Sequence, residues 1–207
     1  MNTRSLLTRG AAGLAGGLLL LGVAGTAMAA EIEVGNDDVD VSVDIAPLTT
    51  PGSLSMSVAG TSTSLTESGS TNVIRQFTGT LPTVTVTDTR DPESIPEGAG
   101  WYVLGTASDF TSTTGDVIGA ENFGWAPNLI DGGDSGLVAE GDVVDTAIDR
   151  GVDGVGLVDQ ELLAITNDSA AVAEEGSWTA NAGLFLRTEP TVDAGQYSST
   201  LTLSLFE

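Results

Sequence analysis

Carboxylates are the only abundant groups in this chain with the means to do chemistry. Asp131-Gly-Gly-Asp134 and Asp149-Arg-Gly-Val-Asp153 set acids in pairs on short glycine-bearing loops, and Asp37-Asp38-Val-Asp40 makes a third cluster. Calcium takes roughly six to eight oxygens from flexible loops, and Asp131, Asp134, Asp149 and Asp153 are the positions that could supply them. Neither loop has the Asp-x-Asp-x-Asp-Gly spacing with a closing Glu that marks a dedicated calcium loop. Turns need Asp and Gly in any case, so solvated turn residues are the plainer reading. Beyond that calcium, no cofactor is expected.

The missing residue types say more. The chain has no His, no Cys and no Lys, and its six basic residues are all Arg. That removes Ser-His-Asp triads, thiol nucleophiles, Schiff-base lysines and His-ligated zinc. Paired-carboxylate chemistry of the glycoside-hydrolase kind survives. Such sites use aromatic platforms, and only three Trp and two Tyr are present. Trp101 and Tyr197 read as core residues; Trp125 and Trp178 read as core too, although exposed they would stack on sugars. No acid can be paired with another from sequence, so none is nominated as catalytic, and the chain is expected not to be an enzyme.

Charge narrows the partners. The 29 acidic residues against six arginines give a net charge of −23. Such a surface repels nucleic acid and anionic membranes, so neither is expected as a partner. It favours solubility and loads the fold with self-repulsion, which salt relieves.

Residues 1–29 read as a signal peptide. Arg4 and Arg9 precede the apolar stretch 11–23, and Ala27-Met-Ala29 fits the small-x-small cleavage rule. The stretch is short for a membrane span, so cleavage before Ala30 is expected over a retained anchor. No second apolar segment of spanning length follows, and no membrane insertion is expected. Without Cys there is no lipid attachment and no disulfide, so the exported chain relies on an ordinary core. Residues 30–207 suffice for one domain.

The elements follow from alternation. Val39, Val41, Val43 and Ile45 alternate with Asp38, Asp40, Ser42 and Asp44, giving a strand with one apolar and one acidic face. Ile32 and Val34 start the same pattern. Leu54, Met56 and Val58 alternate with Ser. Residues 73–77, 81–88 and 101–107 read as further strands, with a short one near Phe123 and Trp125; 162–165 is short and apolar, and 177–187 holds Trp178, Leu184 and Leu186. Asp109-Phe110-Thr111 reads as the exit to a surface turn, and 60–72 as a long loop or strands of small side chains. Residues 170–175 are mildly helix-like but too short to stand alone. Tyr197, Leu201, Leu203 and Leu205 share one parity in a final strand. Many short strands without helical periodicity predict an all-β fold, a single antiparallel β-sandwich of Ig-like, Greek-key type.

Two of these strands carry a resemblance. Trp101 and Val103 follow an alternating strand (84–88) and a loop; the chain later shows Tyr197-x-x-x-Leu201-Thr202-Leu203-x-Leu205. This resembles the WxL-type C-terminal cell-surface domain of Gram-positive bacteria over roughly residues 78–207. Leu203 stands where that family has Trp, and Val103 where it has Leu; both keep an apolar side chain on the same face. The resemblance implies a secreted protein held noncovalently at the cell wall by peptidoglycan or another wall polymer, in some relatives with a membrane-anchored companion. It also implies binding roles for Trp101, Val103, Tyr197, Leu201, Leu203 and Leu205, whereas their parity alone reads as core. Noncovalent attachment agrees with the lack of a sorting motif: Leu81-Pro82-Thr83-Val84 is internal and lacks the required Gly. The alternative is a structural or adhesive subunit that self-assembles or binds a protein partner, for instance by donating its acidic first strand to a neighbour.

Overall fold

Apolar residues alternating with Ser and Thr fold as strands because successive side chains point to opposite faces of a pleated ribbon. The computed structural model describes residues 42–45, 51–150 and 154–207. The chain divides into two compact units, Met1–Pro47 and Leu48–Glu207. The first is described only at residues 42–45, which are exposed and carry no regular structure. The leader and the strand patterns at 32–34 and 38–41 lie outside the described residues.

The second unit is all-β, with antiparallel sheets. Its strands are β1 (Leu54–Val58), β2 (Thr66–Glu67), β3 (Arg75–Thr80), β4 (Val84–Asp88), β5 (Trp101–Ala107), β6 (Phe110–Ser112) and β7 (Val117–Ile118). β8 (Phe123–Asp131), β9 (Val138–Glu140), β10 (Glu161–Thr166), β11 (Ser177–Thr188), β12 (Tyr197–Ser198) and β13 (Leu201–Phe206) follow. The helix-like stretch forms one short turn of helix, Ser169–Val172, capped by the Asp168 side chain, which accepts from the Ala171 N–H at 3.0 Å. Among the described residues, no helix is long and apolar enough to cross a membrane.

β11 is the spine of the first sheet. β8 runs along one edge of it, and β4 and β3 lie end to end along the other. Ala180 faces Val84 and Gly183 faces Thr80, so two residues of β11 oppose Leu81, Pro82 and Thr83. That extra residue is a bulge, and it sits where Pro82 has no N–H to give a ladder. β1 and β2 border β4 and β3 on the outside. The second sheet runs β13-β5-β10-β9, and a small third sheet runs β12-β6-β7.

Two segments differ from their sequence reading. Phe110 does not leave for solvent; it begins β6 and packs edge-on against Phe123, with ring centroids 5.0 Å apart. Nor is the terminal strand continuous. It breaks at Ser199-Thr200, because Ser108 intervenes: its hydroxyl accepts from the Thr200 N–H at 3.0 Å, and its N–H donates to the Thr200 carbonyl at 3.0 Å. A hydroxyl that replaces one ladder bond ends the regular register there, so Tyr197 and Leu201 belong to different sheets.

Tryptophans join the first two sheets. Trp101 of β5 and Trp178 of β11 stack at a tilt, centroids 5.3 Å apart, and both are buried. Trp125 of β8, also buried, reaches Gly105 of β5. A Cβ at Gly105 would stand 2.5 Å and 2.8 Å from two carbons of the Trp125 ring. Gly105→Ala is therefore expected to destabilise the fold by about 1–3 kcal/mol through overpacking, although alanine alone suits a strand better than glycine. Urea unfolding checks this; unchanged stability would mean that the Trp125 ring yields.

One ion pair is buried at the far end of β4. The Asp88 side chain is fully enclosed, and Arg90 grips it with Nε at 2.8 Å, Nη2 at 2.6 Å and its backbone N–H at 3.0 Å. The remaining arm of Arg90 pairs with Glu207, just beyond β13. Burial alone would push the Asp88 carboxyl up; the Arg90 hydrogen bonds and charge outweigh it and hold the carboxyl below its ordinary range.

Candidate functional site

Most inward-facing side chains of this fold are buried, but one group is left only half-covered. Leu54, Met56 and Phe77 on β1 and β3, Leu65 just before β2, and Tyr197, Leu201 and Leu203 on β12–β13 pack against the core without being enclosed by it. Between most of these residues lies a groove with a cavity volume of about 1050 Å³. Its floor is Phe123, Leu184, Leu186, Phe110 and Ile118, the inward faces of β8, β11, β6 and β7. Val58, at the end of β1, lines it and is 38% exposed.

Hydroxyls frame the apolar floor. Thr61-Ser62-Thr63-Ser64 lines one side and Ser198-Ser199-Thr200 another. Thr188, at the end of β11, lines the groove while only 3% exposed, and its hydroxyl has no hydrogen-bond partner among the described residues. A buried hydroxyl without a partner carries a desolvation cost that an entering polar group would relieve. Tyr197 donates its hydroxyl to the Asp193 carbonyl at 3.1 Å. Partial burial, with the nearby Asp116 and Asp193 charges, raises its pKa, so the phenol stays protonated and a donor.

The charged residues lining the groove are Arg75 and Asp193. Arg75 stacks over Phe77, 5.1 Å from the ring centre, and holds Glu67 through two hydrogen bonds of 3.1 Å and 2.9 Å. A space of this size, with an apolar floor and a hydroxyl rim, can hold an extended chain by apolar contact and hydrogen bonding.

The six residues nominated from the terminal and Trp motifs are divided by the fold. Trp101 and Val103 are both 0% exposed and touch no surface. Tyr197, Leu201 and Leu203 line the groove. Leu205 is half-buried against the core and does not line it. Trp125 and Trp178 are core residues and offer no sugar platform. Parity alone read Tyr197 as core; the break at Ser199 moves it to the groove wall.

The nominated acids are scattered. Asp131 accepts the N–H of Gly133 at 3.0 Å within its own turn. Asp134 lies in the same loop, where the neighbouring Ser135 N–H binds Glu175 at 2.6 Å. Asp149 has one oxygen on the Thr146 N–H and hydroxyl, at 3.1 Å and 2.8 Å, and pairs with Arg187 through the other. Burial tends to raise its pKa, and Arg187 and Thr146 together override this and lower it. Asp153 lies outside the described residues. Among the described residues, no group of three or more acids gathers as a metal set.

Sequence reading missed Met56, Val58, Phe77, Thr188 and the 61–65 segment as groove residues. Their strands were legible, but the signal for a groove, inward apolar residues with no strand to cover them, exists only once pairing is known. Comparison of the chain with protein-family models, curated proteins and solved structures returns no match.

Proposed function

We propose that this chain is an exported, non-catalytic surface protein that works by noncovalent association at the cell wall, and that it takes an extended chain into the groove beside β13. The groove carries this reading: a large apolar-floored, hydroxyl-rimmed space lined by Tyr197, Leu201 and Leu203 of the terminal motif. The fold proposed with it is an Ig-like, Greek-key sandwich behind a cleaved leader; the Trp101–Trp178 and Gly105–Trp125 contacts between the first two sheets support it. Its partner is peptidoglycan or another wall polymer, with a membrane-anchored companion protein as a further candidate.

Sedimentation with isolated Gram-positive cell walls, with and without calcium, tests the wall reading. The purified chain is expected in the pellet. Calcium dependence would bring the Asp131–Asp134 loop into the site. A chain that stays in the supernatant under both conditions contradicts wall association.

A second reading is favoured by a specific observation. Val43 and Ile45, on the apolar face of the first strand pattern, are 79% and 81% exposed. A structural subunit that assembles through this segment would account for both the segment and the groove.

A further inference from the structure

We propose that the extended chain taken by the groove is residues 39–45 of a second copy of this protein, added as a strand along the open edge of β13. This rests on the reading of the groove as a receptor for an extended chain, and it names the occupant.

Three observations converge. First, β13 is the end of its sheet: it pairs with β5 and has no neighbour on its other side among the described strands. Edge strands in stable monomers are blunted by proline, charge, bulges or short length. β13 is six residues long, reads Leu-Thr-Leu-Ser-Leu-Phe, and pairs with β5 in unbroken register. None of those devices is present within it.

Second, the groove is lined by Leu201 and Leu203, in the first half of β13, together with Met56, Val58 and Phe77. An added strand would close this space, with its alternate side chains entering the apolar floor. Its outward polar residues would meet the hydroxyl rim.

Third, the chain carries a segment of matching pattern, of which the described residues, 42–45, are exposed and carry no regular structure. Val39, Val41, Val43 and Ile45 alternate with Asp38, Asp40, Ser42 and Asp44. Seven residues of strand span about 23 Å, close to the ~20 Å of a six-residue edge. Val43 and Ile45, the described apolar residues of the segment, are exposed. Backbone ladder bonds would provide affinity, and alternate pockets specificity, as in strand addition generally. The donor's other face is acidic on a chain of net charge −23, so salt should strengthen assembly by screening repulsion.

The test is sedimentation velocity of the mature chain over a wide concentration range, at low salt and in molar salt. Concentration-dependent association, stronger in salt, is expected. The donor variant Val41→Asp/Val43→Asp should weaken it at least about tenfold, and so should the groove variant Val58→Asp. Val58 is part-exposed at the sheet margin, so that variant should fold; circular dichroism confirms it, and Leu203→Gln serves as a second groove variant. Mixed together, the donor and groove variants should restore a one-to-one pair, because each supplies what the other lacks.

A wild-type chain that is monomeric throughout overturns the proposal, as does association unaffected by both variants. So does a monomer whose thermal stability falls in the donor variant, since its strand then fills its own groove. Wall pelleting by a monomeric chain would sink this inference and leave the wall reading standing. Failure of both pelleting and assembly would sink the groove reading itself.

Discussion

Replacing Trp101 by alanine is expected to cost the fold about 3–5 kcal/mol, in the range seen for truncating a large buried aromatic. The ring is 0% exposed and lies against Trp178 at 5.3 Å, so deletion leaves a cavity between the first two sheets that neither can close alone. Domains have only about 5–15 kcal/mol of stability in all, so the variant should unfold at much lower urea concentration. The prediction separates two roles for one residue. If Trp101 were a wall-contacting side chain, the alanine variant would keep its urea midpoint and lose binding. The burial requires the reverse: at temperatures where the variant remains folded, association should persist. Urea titration and wall pelleting on the same sample decide between them.

Arg90→Ala is expected to cost a comparable amount, about 3–5 kcal/mol at neutral pH, because it strands a buried carboxylate. The Asp88 side chain is fully enclosed, and Arg90 provides three of the hydrogen bonds that compensate its burial; alanine keeps only the backbone one. The pH dependence has a definite sign. In the native chain the folded Asp88 pKa is held below its ordinary value, so the pair's contribution is complete above about pH 4 and is lost as pH falls through the folded value. In the variant, burial acts with little opposition and raises the folded pKa. Protonation then favours the variant's folded state, and its deficit should narrow as the pH drops toward 4. Urea unfolding near pH 7 and near pH 4 checks this. An equal deficit at both would mean that Asp88 is not the group left uncompensated. Glu207, the other partner of Arg90, is part-exposed, so Glu207→Gln should matter far less.

Much of the all-β organisation was legible because alternation is a local signal. Leu54 and Met56 and the Val84–Asp88 run display the burial period of two that their sequence predicts, and Val58 alone breaks it by standing exposed at the end of β1. What stayed hidden depends on pairing. The bulge at 81–83 follows from a register that only β11 defines. The break at Ser199 comes from the hydroxyl of Ser108, 91 residues away. Without that break Tyr197 and Leu203 look like one buried stripe; with it they become the wall of a groove. The acids were legible as turn formers, and Asp149 gave no sign that its partner would be Arg187, which arrives from β11. The groove was invisible for the same reason, since a missing neighbour leaves no trace in a strand's own sequence.

Hydrogen–deuterium exchange along β13, followed as protein concentration is raised, tests the central claim most directly. If the groove receives an extended chain, backbone amides within Leu201–Phe206 on the side away from β5 should gain protection as the protein associates, and residues 39–45 should gain it in step. Association that leaves β13 exchanging at its monomer rate would contradict the claim, because the contact would then lie on another face of the molecule.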